Sequence, residues 1–342
     1  MRTPQAFFSR LGVAGLVVAL GAAAAPLAAA SRSANDLLSI VPADASAVAM
    51  IRWSDLRDSP LAARLFSGAD HMTVDGDAGR FLQEAQLDPK KDVDTVVIAS
   101  KASTGSKGSP ALAVFEGRFD PDRLAAAAQA RGALRKSTPA GDYYQLSDRH
   151  QDDRERPGAV AFVSSTLVIA GTESAVAQAL ADRQAGGTGF ASGGGLGREL
   201  KRVDRGASAW VLVDVAHYPS INRRSPRVES SREDSGEPAM AILGAMKSVS
   251  LVAVQATARG DGLELTATGV ASDADTRQLL EDSLRGLIAM WRLAVQEKSP
   301  ELVSVLRKFT VSSDSEAVSI HGTLSGTALR ALTQKKRPAA QN

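Results

Sequence analysis

Residues 45–53 read ASAVAMIRW, and a close counterpart returns at residues 207–215 as ASAWVLVDV. Each is a compact run of small, β-branched and large apolar residues, entered through a turn signal (Pro42-Ala43-Asp44 and Arg205-Gly206) and closed by polar residues. Such a run predicts a largely buried strand. Its return predicts a chain that begins twice, as two related α+β repeats, each an antiparallel sheet covered by helices. Gly117 and Asp120 find counterparts in Gly269 and Asp273, and Gly171-Thr172 in Gly322-Thr323, at nearly constant offsets. A duplicated unit with small changes of loop length leaves that spacing. The repeats are expected at 31–184 and 198–332, with a Gly-rich linker at 185–197 and a disordered tail at 333–342.

The first thirty residues predict export. Arg2 and Arg10 form a basic start, Leu11 to Leu20 is uncharged and apolar, and Ala28-Ala29-Ala30 is a small-residue cleavage site, so residues 1–30 read as a signal peptide cut before Ser31. No later stretch is long and apolar enough to span a membrane. Cysteine is absent, which excludes disulfides, thiol catalysis, cysteine metal sites and a lipobox. The formal charge is +2, and losing Arg2 and Arg10 brings it to zero, so a nucleic-acid partner is unsupported. A periplasmic or secreted bacterial protein is the expectation.

Between the anchor strands the pattern predicts a helical turn near Asn35–Ile40 and a helix at Gly79–Leu87. A hairpin follows, Val93–Ser100 with Ala111–Phe119, then a helix capped by Asp120 with Pro121 in its first turn. Strands are expected at Tyr143–Ser147 and Ala159–Ala170, and a helix opens at Glu173. The second half has a charged loop, residues 219–238, a helical piece at Ala239–Lys247, and a hairpin turned at Arg259-Gly260-Asp261-Gly262. A long helix from Asp273 to Lys298 follows. Leu280, Leu284, Leu287, Trp291 and Val295 make one stripe on it, and Leu279, Ile288, Met290 and Leu293 widen the stripe so far that the helix is expected to be mostly buried.

No chemical constellation emerges. His71, His150, His217 and His321 have no metal-ligand spacing, and Asp70, His71, Asp75 and Asp77 fail the calcium-loop pattern, since Gly79 and Gln86 occupy ligand positions. The Gly193–Gly197 run has no strand before it, as a dinucleotide fingerprint requires. Arg223, Arg224, Arg227 and Arg232 are balanced by Glu229, Glu233, Asp234 and Glu237. Trp53, Trp210 and Trp291 are expected in the core. No catalytic, cofactor-binding or metal residue is therefore assigned.

The segments Leu37–Ile40, Pro42-Ala43-Asp44-Ala45, Asp55-Leu56, Ser59-Pro60, Gly117–Asp120 and Ala209-Trp210-Val211 make the chain resemble a loose group of uncharacterised exported bacterial proteins that open with a "PADA" strand. That resemblance implies a fold and no activity. The expectation is a non-catalytic binding or scaffolding protein of the bacterial cell envelope, without a cofactor, whose partner is a protein or a small apolar ligand. Two alternatives stand beside it. One is an envelope hydrolase, in which Asp70, His71, Asp75, His150 and Asp152 would converge, and the other is a carrier of an apolar ligand.

Overall fold

The computed structural model describes residues 34–57, 77–102, 109–146, 157–217, 249–296 and 300–328. The expected signal peptide (1–30), the expected 219–238 loop, Ala239–Lys247 piece and 333–342 tail, and the residues of the hydrolase alternative (Asp70, His71, Asp75, His150 and Asp152) lie outside them. The chain divides into two compact units, residues 1–45 with 50–197, and residues 46–49 with 198–342. Both mix helices with antiparallel sheet.

The first unit runs α1 (Ala34–Leu38), β1 (Ala47–Arg52, from Met50 on), α2 (Trp53–Arg57), α3 (Asp77–Glu84), α4 (Pro89–Asp92), β2 (Val93–Ser100), β3 (Ala111–Gly117), α5 (Pro121–Ala130), β4 (Leu134–Thr138), β5 (Gly141–Gln145), β6 (Gly158–Ser164), β7 (Leu167–Thr172) and α6 (Glu173–Gln184). Its strands lie in the order β1-β2-β3-β7-β6-β5-β4, and β2 to β7 pair antiparallel. In β2 alternate residues are buried, as a strand covered more deeply on one face requires. Phe119, Leu124 and Ala127 bring α5 onto Val93 and Val168, with Phe81 of α3 beside them. Tyr144 packs with that layer at 5.4 Å from Phe162, while its neighbour Tyr143 donates to Glu173 of α6 at 3.0 Å. Helices therefore cover both faces. At the start of α5, Asp120 accepts from the Arg123 amide at 3.1 Å, the expected cap.

Three expectations are corrected. Ala159–Ala170 is two strands, because Ser165-Thr166 turns the chain without glycine or proline: Thr166 donates its amide to Ser164 Oγ at 3.2 Å. The edge strand β4 was not expected, since its Arg-Lys-Ser-Thr run has only Leu134 to mark it and Leu134 is exposed. Residues 185–197, expected as a linker, hold packed structure around Phe190. Phe190, in a 3-10 turn at Gly189–Ser192, is fully buried, and its amide donates to Val41 O at 2.8 Å. Two of the glycines serve that packing. A Cβ on Gly189, at φ +48°, would stand 2.2 Å from Ser39 O, and one on Gly197 would stand 2.4 Å from Phe190 O.

The second unit contains Ser46–Ala49, a 3-10 stretch ending at Arg202, β8 (Ala209–Asp214), β9 (Val249–Arg259), β10 (Gly262–Ala271), α7 (Ala274–Gln296), α8 (Pro300–Leu306), β11 (Thr310–Ser313) and β12 (Ala317–Leu324). Its strands lie in the order β11-β12-β10-β9-β8, and each neighbouring pair is antiparallel. Ala47 packs beside Val213 and Val215, and the Asp214 amide donates to Ser46 O at 2.8 Å. The β9–β10 hairpin closes on Gly260-Asp261 with Gly260 at φ +59°, the left-handed geometry that a two-residue hairpin turn uses.

Replacing Phe190 by Ala is expected to lower the stability of the first unit by about 3–5 kcal/mol, measured by denaturant unfolding. An unchanged midpoint would restore the linker reading.

Candidate docking face

The strongest surface feature is built on α7. Asp273 starts this helix: its carboxylate accepts from the Thr276 amide and hydroxyl, each at 2.8 Å, and from Ser272 Oγ at 2.6 Å. These donors, Ser272 first, hold its carboxyl at about 2, below the ordinary 3.8. Gln278 reaches Asp282 at 3.0 Å, and Arg285 pairs with Glu281, both at the i, i+4 spacing that supports a helix.

Three further contacts fix how the helix is rotated. Leu280 and the half-buried Leu284 join Val249, Val318, Val252 and Val311 on the sheet. Glu281, buried, accepts from Ser313 Oγ of β11. Arg292 donates to Leu306 O at 2.7 and 3.1 Å, closing the carbonyl end of α8. Leu280, Leu284 and Ile288 thus face inward.

Leu279, Met290 and Leu293 face outward, so the expectation of a mostly buried helix is corrected. Leu279 is 54% exposed, Met290 41% and Leu293 71%. At 100° per residue they lie with Gly286 in a stripe about 150° around the helix from the buried side chains. Trp291, also expected in the core, falls in line with Leu280 and Leu284 yet is 52% exposed. Gly286 sits mid-helix, where glycine costs about 1 kcal/mol relative to alanine, and a Cβ there would meet nothing within 4 Å. No close contact among the described residues requires it.

Among the described residues, the others singled out in the sequence do not gather into a site. His217 Nδ1 lies 2.8 Å from Asp214, and His321 contacts Glu264 at 3.4 Å and Thr266 at 3.1 Å, with Arg259 also reaching Glu264 at 3.4 Å; both are surface contacts. Among the described residues no group of three metal-ligating side chains gathers, and no helix is long and apolar enough to cross a membrane. Gly193 and Gly195, at φ +75° and +51°, lead into the 3-10 stretch rather than joining a strand to a helix. Trp210 is buried in β8, and Trp53, half-buried, begins α2. The arginine cluster at 223–232 lies outside the described residues.

No family model and no curated protein matches the chain. Among solved structures it is similar to crystal form III of TP0453, with a TM-score of 0.49 at 11% identity, covering 90% of this chain and 100% of that one. Crystal form IV of the same protein gives 0.46 at 10% identity over 88% and 99%. Crystal form I gives 0.41 at 12% identity over 88% and 97%.

The Asp273 carboxylate titrates lower in the folded helix than in the unfolded chain, so its stabilisation is complete above 3.8 and fades as pH falls toward about 2. Asp273→Ala should lower the unfolding midpoint of the second unit at neutral pH, and the deficit should disappear by about pH 2. A deficit independent of pH would contradict the charged cap.

Proposed function

We propose that the chain is an exported, non-catalytic binding or scaffolding protein of the bacterial cell envelope, built from two copies of one α+β unit, which engages its partner through the outward face of α7. The exposure of Leu279, Met290 and Leu293 carries this reading. Large apolar side chains gathered on one exposed face are characteristic of a surface that binds something. The carrier alternative is less well supported, because it needs surplus apolar side chains turned toward an internal cavity, whereas those of α7 turn toward solvent.

Duplication is supported by the order of the strands. β1-β2-β3-β7-β6 in the first unit corresponds to β8-β9-β10-β12-β11 in the second, with β5 and β4 extending the first. In both units the hairpin register shifts where its second strand ends, between Val93 and Thr95 opposite Gly117 and between Val270 and Ala271. A helix capped by an aspartate then follows, Asp120 in one and Asp273 in the other. Export is supported by the basic-apolar-small pattern of residues 1–30.

The test is to express the full chain in a bacterial host with a photo-crosslinking residue at 279, 290 or 293, and at 278 as a control on another side of the helix. The expected result is a periplasmic chain that forms adducts from the three stripe positions and not from 278. A cytoplasmic chain, or stripe positions no more reactive than 278, would overturn the proposal.

A further inference from the structure

The outward stripe of α7 is narrow and regularly spaced. With Ser283, half-buried between them, Leu279, Gly286, Met290 and Leu293 follow one another at alternating steps of four and three residues. That is the spacing on which two helices interlock along a seam. We infer that the occupant of this face is α7 of a second copy of the chain, laid antiparallel so that Gly286 crosses Gly286. The inference rests on the proposed role of the α7 face and names its partner.

Self-complementarity is the main argument. Leu279 and Leu293 stand equally far from Gly286, so a two-fold axis through Gly286 brings each Leu279 onto the partner's Leu293. Met290 then lies within one residue of the level of the partner's Ser283, a long side chain next to a short one. At the crossing point the exposed glycine has open space above its Cα. A second backbone can approach closely there, which gives the mid-helix glycine a role that no contact among the described residues supplies. On the far side, α8 is held through Arg292, about 130° around the helix from the stripe, and does not obstruct it.

The charges point to the same occupant. Asp275 and Asp282 are exposed along one edge of the stripe. In the antiparallel pair Asp282 lies level with the partner's Met290, beside Ala289, whereas a parallel pair would hold each aspartate level with its own copy. A lipid surface would favour lysine and arginine along such an edge. Here Arg285 pairs with Glu281, and Arg292 is turned onto the α8 carbonyls.

The chain has no cysteine, so single cysteines report directly on the pairing. Leu279 and Leu293 lie about 21 Å apart along the helix, far beyond the roughly 7 Å between Cα atoms that a disulfide allows. Gly286→Cys should therefore form a disulfide-linked dimer under mild oxidation. Leu279→Cys and Leu293→Cys should each stay unlinked alone and become linked when mixed. Sedimentation equilibrium of the unmodified exported chain should give a reversible dimer with a dissociation constant on the order of micromolar, in keeping with so short a seam. The Leu279→Lys, Leu293→Lys double variant should keep the same circular dichroism spectrum and remain monomeric.

Leu279→Cys linking to itself would overturn the antiparallel arrangement. A chain that stays monomeric at every concentration, with no link from Gly286→Cys, would overturn the inference. If the stripe positions still gave photo-adducts, the binding role of α7 would stand with another partner. If that monomer bound vesicles of zwitterionic or anionic phospholipid, the occupant would be a lipid surface. Loss of the photo-adducts as well would remove both readings.

Discussion

A helix lying on a sheet can cover only one side of itself, and α7 carries apolar residues on two. Which side turns inward is set by polar contacts as much as by apolar ones. Glu281 meets Ser313, Arg292 closes the last carbonyls of α8, and Asp273 fixes where the helix begins. With those three anchors in place, Leu280 and Leu284 reach the valines of the sheet and Ile288 is buried, while Leu279, Met290 and Leu293 are left in water. Burial of apolar surface is the dominant favourable term in folding and association alike. The arrangement therefore leaves an unused driving force on the surface of the second unit.

Much of this architecture was legible in the sequence where local chemistry is decisive. The twin strands β1 and β8 were marked by uninterrupted apolar runs, the β9–β10 turn by Gly260-Asp261, and the start of α5 by Asp120-Pro121. Elements whose signal is tertiary were not legible. The turn between β6 and β7 is made by Ser and Thr, whose preference for turns is weaker than that of glycine. The edge strand β4 is defined by its pairing with β5, from Leu134 opposite Gln145 to Thr138 opposite Gly141, and not by its own composition. Glycines between residues 185 and 197 suggested freedom, yet Gly189 and Gly197 permit a close approach around the buried Phe190.

The candidate site was half legible. Periodicity identified α7 and its large apolar residues, but a wide apolar surface can mean either a helix buried all round or a helix with one buried and one exposed face. Sequence spacing could not separate these, because the answer depends on how many layers cover the helix. One signal was available, the mid-helix Gly286 between Ser283 and Met290, since a glycine kept at a helical cost invites a search for what approaches it. The proposed role asks for no catalytic constellation, because a binding surface needs exposed area and complementary shape, not convergent ionisable groups.

Oxidative footprinting of Met290 tests the central claim most directly, because methionine oxidation requires access to the thioether and the fully buried Met50 serves as an internal reference. In dilute protein Met290 is predicted to oxidise far faster than Met50, and raising the protein concentration should slow Met290 while leaving Met50 unchanged. A Met290 as slow as Met50 in dilute solution would mean that the chain buries this face itself. A rapid oxidation that ignores concentration would mean that no second copy covers it.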